Sequence, residues 1–353
     1  MDKSLKFEPI ADSPLGAVLT PSYELSSIIN YIRDHPKFLL NSLNKFEGLL
    51  LIKNLSEIND HPEILVELSE YCGDEVENYW DTPTPRNMIH SDQQQILVIS
   101  NLPPCDRQPP AQPNPATNDD GSLPVQFPHR TGWHTDQSFR RPPPDISLFY
   151  AEKAAPRDQG QTIFANGYKA YEQLSSNIKE QIKNLNGLHA LLGTGRTAQA
   201  VKDGIIPMEL QDHQKSQLQP LVRIHPVTKR PALYLCEYGQ MDWLDGPIAG
   251  METGPNGKGA ELLSLLMTHY TQPKFTYVHE WDDGDLVIYD NRCLIHTATW
   301  FDADNHNRSM WRTTVFGNPG PEYAGEDKSW IPKPGEDHLQ GLGDGRWENL
   351  TRT

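Results

Sequence analysis

The sequence predicts a mainly β protein in which helices lie outside an antiparallel double-sheet barrel. Strand-like segments dominate the C-terminal half, and neither a regular strand–helix alternation nor a glycine-rich phosphate loop is present. The 30 prolines and 25 glycines exceed average usage and favour a loop-rich chain over a helical bundle. A length of 353 residues is compatible with two domains, but β-rich enzymes often build more than about 250 residues around one core.

Hydrophobic periodicity places the elements along the chain. Apolar residues spaced three or four apart indicate helices, and short apolar runs with polar boundaries indicate strands. The predicted helices cover 23–33, 63–72, 170–185 and 259–270. The predicted strands cover 48–55, 95–100, 146–151, 162–165, two segments within 223–236, and then 275–281, 285–290 and 310–316.

A proline-rich segment at 102–128 interrupts this pattern. Eight of its 27 residues are proline, so no regular element is expected there. A loop of this length is typically either a linker between domains or a lid beside a functional site.

Charge and cysteine usage exclude several classes of protein. The chain has 31 Lys+Arg against 47 Asp+Glu, a net charge of −16, and no basic block for binding nucleic acid or an anionic membrane. No segment approaches the roughly 20 apolar residues of a spanning helix. The four cysteines form no CxxC pair, which disfavours a disulfide framework. These features predict a cytoplasmic protein without nucleic-acid or membrane partners and leave its oligomeric state open.

Two His-x-Asp motifs are candidates for metal binding. They are His90-Ser91-Asp92 and His134-Thr135-Asp136. Residues i and i+2 of an extended strand point to one face, roughly 6.6 Å apart along the chain, so imidazole and carboxylate can share a metal. One further histidine would complete the two-histidine, one-carboxylate set of non-haem Fe(II) oxygenases. A single such motif is more often a solvated turn or a His–Asp hydrogen bond.

The surroundings favour the second motif. Trp133 and Phe139 flank it and suit a partly dry pocket, while Gly132 permits close backbone approach. The motif also follows the proline-rich segment directly, which favours the lid interpretation of that segment. His296, at the end of a predicted strand pair, is the candidate third ligand.

An arginine on the last predicted strand is a candidate anion-binding residue. Arg312 shares a strand face with Met310, Thr314 and Phe316. A guanidinium between such neighbours is costly unless it meets a carboxylate, with which it forms a bidentate pair. That carboxylate could belong to a ligand or to an acidic side chain of the protein.

Four segments occur together in an order that resembles the taurine dioxygenase-like family of Fe(II)/2-oxoglutarate-dependent oxygenases. They are WHTDQSF at 133–139, DQGQTIFAN at 158–166, DNRCLIHTA at 290–298 and MWRTTVFG at 310–317. The resemblance implies a double-stranded β-helix, or jelly roll, and an enzyme that uses Fe(II), 2-oxoglutarate and O2. It implies that His134, Asp136 and His296 bind iron, with no catalytic residue beyond these ligands. It further implies that Thr162 and Arg312 hold the distal carboxylate of 2-oxoglutarate.

The resemblance runs from about residue 45 to residue 317 and predicts one oxygenase domain over 1–353. Within that domain, 102–128 is expected to form a lid and 318–353 a C-terminal extension. Both segments depart from the family pattern and lie where they can reshape the substrate entrance.

The predicted reaction is oxidation of a C–H bond in a small organic substrate, most simply hydroxylation, with release of succinate and CO2. Desaturation or cyclisation by the same iron centre is an alternative. A zinc hydrolase with the same three ligands is a rival from another enzyme class. A non-enzymatic binding module on a jelly roll is a third interpretation.

Arginines near the second His-x-Asp motif suggest a substrate that bears a carboxylate. Arg130 and Arg140 are the candidate substrate-binding residues, and Arg130 lies four residues before His134. Such local positive charge can recruit an anion to a chain whose overall charge is negative. Alternatively, these arginines pair with nearby acids such as Asp145 and leave the pocket apolar.

Overall fold

A computed structural model describes residues 5–20, 24–82, 84–110, 132–237, 240–254 and 256–331. The helices are α1 (Leu25–Asp34), α2 (Phe38–Lys45), α3 (Glu63–Glu70), α4 (Gly167–Glu172), α5 (Ser176–Ile182), α6 (Ala198–Lys202) and α7 (Lys258–Tyr270). The strands are β1 (Lys6–Pro9), β2 (Ala17–Thr20), β3 (Leu49–Ile52), β4 (Glu75–Val76), β5 (Leu97–Ser100), β6 (Ile146–Lys153), β7 (Thr162–Asn166), β8 (Asn186–His189), β9 (Gln217–Pro220), β10 (Val222–Ile224), β11 (Pro231–Leu233), β12 (Thr276–His279), β13 (Leu286–Asp290), β14 (Leu294–Ala298) and β15 (Ser309–Phe316).

Two sheets face each other across the core. The large sheet has the order β1-β2-β3-β13-β6-β15-β4, and β5 also pairs with β15. The small sheet has the order β12-β7-β14. All these pairings are antiparallel except that of β2 with β3. Two further antiparallel pairs are β8 with β9 and the hairpin β10–β11.

Apolar side chains fill the space between the two sheets and cover their outer faces. Phe149 and Met310 of the large sheet belong to one buried cluster with Phe164 and Leu294 of the small sheet. Helices α1 to α3 pack on the other face of the large sheet, and α7 packs with Ile163 and Ile295 of the small sheet. The small sheet and the large sheet therefore enclose a two-sided core with helices outside.

The sequence located most of these elements correctly but merged two helices. The periodic segment 170–185 spans the end of α4 at Glu172 and all of α5, whose N-cap is Ser175. Its hydroxyl accepts a hydrogen bond from the amide of Ile178 at 3.4 Å, as N-cap serines do. The sequence also gave no indication of β1 and β2, which extend the large sheet.

The sequence predicted a single domain, a lid and a C-terminal extension. The single-domain organisation over 1–353 stays a prediction. Most of the expected lid, from residue 111 onwards, and most of the expected C-terminal extension lie outside the described residues.

None of the helices in the described ranges is long and apolar enough to cross a lipid bilayer.

A buried charge cluster lies at the C-terminal end of β13. Asp290 Oδ2 accepts hydrogen bonds from Arg292 Nη2 at 2.6 Å and from the imidazole Nε2 of His225 at 3.0 Å. All three side chains are buried. Burial alone would raise the pKa of Asp290, but Arg292 and His225 outweigh it and hold the pKa well below its usual value. Asp290 is thus the anion that makes this cluster tolerable.

We expect Asp290→Asn to lower the free energy of unfolding by about 3–5 kcal/mol, because it leaves Arg292 buried without its counter-ion. Urea unfolding followed by circular dichroism measures this change. Asp283→Asn is the matched control, since Asp283 is exposed and its pair with Lys153 is worth about 0–1 kcal/mol. Equal losses in the two variants would contradict a stabilising role for the buried cluster.

Candidate metal centre

The segment that carries His134 attaches to the edge of the small sheet. The amide of His134 donates to the carbonyl of His296 at 2.9 Å, and the amide of His296 donates to the carbonyl of His134 at 2.7 Å. These two hydrogen bonds pair the segment with β14. The two imidazoles therefore lie side by side, with ring centroids 4.3 Å apart.

The three predicted ligands converge on one point between the sheets. The Nε2 atoms of His134 and His296 lie 3.8 and 3.9 Å from Asp136 Oδ1. The three candidate ligand atoms are all within 4.8 Å of one another, and within the described ranges this is the one group of at least three His, Cys, Asp or Glu residues with such spacing. Two imidazole nitrogens and one carboxylate oxygen form a donor set that suits non-haem Fe(II).

The second His-x-Asp motif takes no part in this group. The ring of His90 packs edge-on against Trp311 at 4.8 Å, and its Nδ1 accepts a hydrogen bond from the amide of Asp92 at 3.1 Å. Asp92 thus contacts His90 through its backbone. His90 and Asp92 form the local turn arrangement that was the alternative for such a motif.

Both histidines present Nε2 to the site and are unprotonated near neutral pH. His134 Nδ1 lies 2.9 Å from the carbonyl oxygen of Gly132, which directs Nε2 toward Asp136. Burial lowers the pKa of His134, and it lowers the pKa of His296 to about 3, with a further contribution from His134. A neutral imidazole is the form that binds a metal.

Glycine at position 132 is required by a close approach. A Cβ atom there would lie 2.2 Å from Glu237 Oε2, far inside van der Waals contact. The same carboxylate oxygen accepts a hydrogen bond from the amide of Trp133 at 2.8 Å, and the amide of Glu237 donates to the carbonyl of Trp133 at 2.7 Å. The segment before His134 is therefore anchored to Glu237.

Three strands of the large sheet supply hydrogen bonds to Asp136. Ser147 on β6 and Tyr289 on β13 each donate a hydroxyl to Oδ2 at 2.7 Å. Arg312 on β15 donates from Nη1 to Oδ1 at 2.5 Å. Burial by itself would raise the pKa of Asp136, but Arg312 and the two imidazoles hold it well below its usual value. Asp136 is thus a fully buried carboxylate that remains ionised.

Asn291 holds the backbone and one partner of Asp136. Its Oδ1 accepts hydrogen bonds from the amide of Asp136 and the hydroxyl of Thr135, both at 3.2 Å. Its Nδ2 donates to Ser147 Oγ at 2.9 Å. Ser147, Tyr289 and Asn291 were not predicted from the sequence. Asn291 could have been found from the sequence, since it lies in the family-like segment DNRCLIHTA. Ser147 and Tyr289 lie in ordinary apolar strands, where a single hydroxyl is no indication of a role.

Thr162 lies at the start of β7 with an oriented hydroxyl. Its Oγ1 accepts a hydrogen bond from Trp281 Nε1 at 3.0 Å, so its own proton can be donated to another group. Trp281 packs edge-on against Phe149 of the large sheet with ring centroids 5.3 Å apart. Thr162 and Trp281 therefore line the same side of the core as Phe149.

A second arginine, not selected from the sequence, lies beside this group. The guanidinium of Arg308 lies 6.0 Å from the ring centroid of Phe149. Its Nε and Nη2 atoms are buried and have no hydrogen-bond partner in the described part of the chain. Burial lowers the pKa of Arg308 to about 10. A buried guanidinium with unsatisfied donors is unfavourable unless an anion meets it, so Arg308 is a stronger candidate for ligand binding than its sequence suggested.

Arg308, which directly precedes β15, and Arg312, which lies on β15, differ in their contacts. Arg312 already meets an anion, the carboxylate of Asp136, at the metal-ligand cluster. Arg308 is connected through Phe149 and Trp281 to Thr162. This series of contacts makes Arg308 a candidate, alongside Arg312, for the predicted partner of Thr162 at the distal carboxylate. Arg312 itself has one buried donor, Nε, without a partner in the described part of the chain. The assignment of Arg312 to that carboxylate stays a prediction.

A third arginine approaches the cluster from the segment after β5. The backbone amide of Arg107 donates to the carbonyl of Ser100 at 2.7 Å, and its side chain is exposed. Burial and the Arg312 guanidinium nevertheless lower its pKa, and Asp136 opposes the shift. Arg107 is therefore near enough to Arg312 and Asp136 for their charges to act on its guanidinium.

The two arginines predicted to bind substrate have different outcomes. Arg130 lies outside the described residues. Arg140 is buried, and its Nη1 donates to the carboxylate of Glu77 and to Gln137 Oε1. This geometry favours the alternative of an internal ion pair, with Glu77 rather than Asp145 as the partner. The substrate contact of Arg140 stays a prediction.

Comparison with known proteins connects this geometry to a family. The family model described as "Taurine catabolism dioxygenase TauD, TfdA family" matches residues 8–314. The (S)-phenoxypropionate/alpha-ketoglutarate-dioxygenase of Sphingobium herbicidovorans is 31% identical over 245 residues, which are 66% of this chain and 80% of that protein. The alpha-ketoglutarate-dependent 2,4-dichlorophenoxyacetate dioxygenase of a Burkholderia species is 29% identical over 191 residues, 52% of this chain and 58% of that protein.

The fold agrees with the same conclusion. A crystal structure of AAD-2 in complex with Mn(II) and N-oxalylglycine is similar, with a TM-score of 0.62 and 25% identity, over 89% of this chain and 98% of that one. The predicted jelly roll and the predicted Fe(II), 2-oxoglutarate and O2 requirement are therefore confirmed. The chain belongs to the TauD, TfdA family and is a non-haem iron, 2-oxoglutarate-dependent dioxygenase.

Proposed function

We propose that His134, Asp136 and His296 hold the catalytic Fe(II) and that the enzyme oxidises a C–H bond of a small carboxylate-bearing molecule. The observation that carries this proposal is the convergence of the three ligand atoms within 4.8 Å in the core between the sheets. With 2-oxoglutarate, Fe(II) supplies the activation of O2, and succinate and CO2 are released. The residues of the chain orient the ligands, exclude water and bind the two organic molecules.

For 2-oxoglutarate we propose that Arg308 and Thr162 bind the distal carboxylate. Two buried donors of Arg308 without partners in the described part of the chain and the free proton of Thr162 support this role. Arg312 then remains at the metal end, where it balances the charge of Asp136. Compared with the sequence-based assignment, this proposal replaces Arg312 on β15 by Arg308, which directly precedes that strand.

For the substrate we propose recognition of a carboxylate by Arg107. The side chain combines exposure with a position beside the ligand cluster, as a group that meets an incoming anion requires. The names of the two relatives, a phenoxypropionate and a dichlorophenoxyacetate dioxygenase, also indicate carboxylate substrates. Hydroxylation is the simplest outcome, and desaturation and cyclisation use the same centre.

We expect His134→Ala, Asp136→Ala and His296→Ala to abolish turnover and to weaken Fe(II) or Mn(II) binding below detection. Each variant removes one of three donors, and isothermal titration calorimetry with Mn(II) measures the loss without turnover. His90→Ala is the matched control, because it removes the histidine of the other His-x-Asp motif. Loss of metal binding in His90→Ala with retention in His134→Ala would reverse the assignment.

We expect Arg308→Ala to raise the KM for 2-oxoglutarate roughly 30-fold or more, because removal of one partner of a desolvated charge pair costs about 2–5 kcal/mol. Arg308→Lys should restore only part of the loss, since an ammonium does not reproduce the two-pronged guanidinium contact. Succinate release at varied 2-oxoglutarate gives the KM. Arg157→Ala, which removes an exposed arginine paired with Asp282, is the control.

The Arg308→Ala result also decides between the two arginines. If Arg308→Ala keeps the parent KM while Arg312→Ala raises it without weakening Mn(II) binding, the original assignment of Arg312 to the distal carboxylate is correct.

We expect the parent enzyme to oxidise a carboxylic acid at least about 10-fold faster than its primary amide. The reason is that only the ionised acid forms an ion pair with a guanidinium, and one such pair accounts for a rate difference of about this size. The pair to compare is (S)-phenoxypropionate and its amide, or the best acid from a screen, with succinate release above the background as the readout. Arg107→Ala should remove the preference, and Arg157→Ala should retain it. Equal turnover of acid and amide by the parent enzyme would contradict the proposed substrate class.

A further inference from the structure

The two oxygens of the Asp136 carboxylate have different surroundings. Oδ2 accepts two hydrogen bonds at 2.7 Å, from the hydroxyls of Ser147 and Tyr289. A carboxylate oxygen has two lone pairs, so these donors saturate Oδ2. Oδ1 accepts one hydrogen bond, from Arg312, and is the oxygen that lies 3.8 and 3.9 Å from the two histidine Nε2 atoms. One lone pair, on Oδ1, therefore remains directed toward the imidazoles.

Resting on the proposed iron site, we propose that Ser147 and Tyr289 are positioning residues that restrict Asp136 to one ligand oxygen. A carboxylate can bind a metal through one oxygen or through both. A second bond from Oδ2 would occupy a position that the cosubstrates need, because this type of centre works by keeping positions open. Two hydroxyl donors on Oδ2 make that second bond costly, since both hydrogen bonds must break first.

The two donors are themselves held rigidly by the sheet. Tyr289 on β13 and Ser147 on β6 lie directly opposite each other in the antiparallel register. Asn291 Nδ2 donates to Ser147 Oγ at 2.9 Å, which leaves the serine proton for Asp136. Both side chains are fully buried, so no solvent competes for Oδ2. The geometry is thus preorganised by strand pairing.

The test measures two affinities of the full chain, first for Mn(II) and then for 2-oxoglutarate with Mn(II) bound, by isothermal titration calorimetry. In Ser147→Ala/Tyr289→Phe we expect Mn(II) to bind as in the parent or more tightly. We expect the Kd for 2-oxoglutarate to rise about 10- to 100-fold, the range typical for groups that orient metal ligands. Each single variant should show a smaller rise in the same Kd, and these milder variants guard against loss of folding in the double variant.

Tyr150→Phe and Ser69→Ala are the matched controls. Both remove a buried hydroxyl near the same strands, but Tyr150 bonds to Asn59 and the carbonyl of Leu55, and Ser69 bonds to Thr313 and the carbonyl of Leu65. We expect both controls to keep both affinities.

Two results would overturn the inference. One is a 2-oxoglutarate Kd in the double and single variants that matches the parent. The other is a loss of Mn(II) affinity as large as the loss for 2-oxoglutarate, which indicates a merely structural role. Failure of the iron site itself is distinct, because then the parent chain does not bind Mn(II) or His134→Ala binds it equally well.

Discussion

The site depends on the hydrogen bonds and the ion pair of one buried carboxylate, that of Asp136. It connects the His134 segment, attached to the small sheet, with three adjacent strands of the large sheet through Ser147, Tyr289 and Arg312. A desolvated carboxylate is tolerable only when its charge and its lone pairs are satisfied. Each partner here comes from a different strand, so the site requires the correct order and register of β13, β6 and β15.

Metal-ligand residues that belong to a sequence motif could be predicted from the sequence. Residues whose role depends on the pairing register of the strands could not. The His134–Asp136 spacing and the apolar neighbours of the motif identified two ligands, and the order of the four family segments identified His296. Ser147 and Tyr289 stand within the apolar runs ISLFYA and LVIYD, where a single hydroxyl carries no signal. Their role depends on the antiparallel register that places them opposite each other, and register is a tertiary property.

The differences between the predicted and the observed secondary-structure elements also have local causes. The segment 170–185 keeps a helical apolar period across its break, so periodicity cannot locate the N-cap at Ser175. Strands β1 and β2 have four residues each and are stabilised in the large sheet, where β2 pairs with β3 and β1 pairs with β2. Membership in the dioxygenase family decides against the zinc hydrolase and the non-enzymatic module, which the ligand pattern alone left open.

The distribution of positive charge explains how a chain of net charge −16 can bind the anion 2-oxoglutarate. Arg312 meets the internal carboxylate of Asp136, so its charge is balanced within the protein. Arg308 has buried donors without partners in the described part of the chain, and Arg107 is exposed beside the same cluster. Burial lowers the pKa of Arg308, and the positive charge of Arg107 lowers it further. Positive charge close to the site acts more strongly than the screened field of distant surface acids, so the anion 2-oxoglutarate is attracted despite the overall charge.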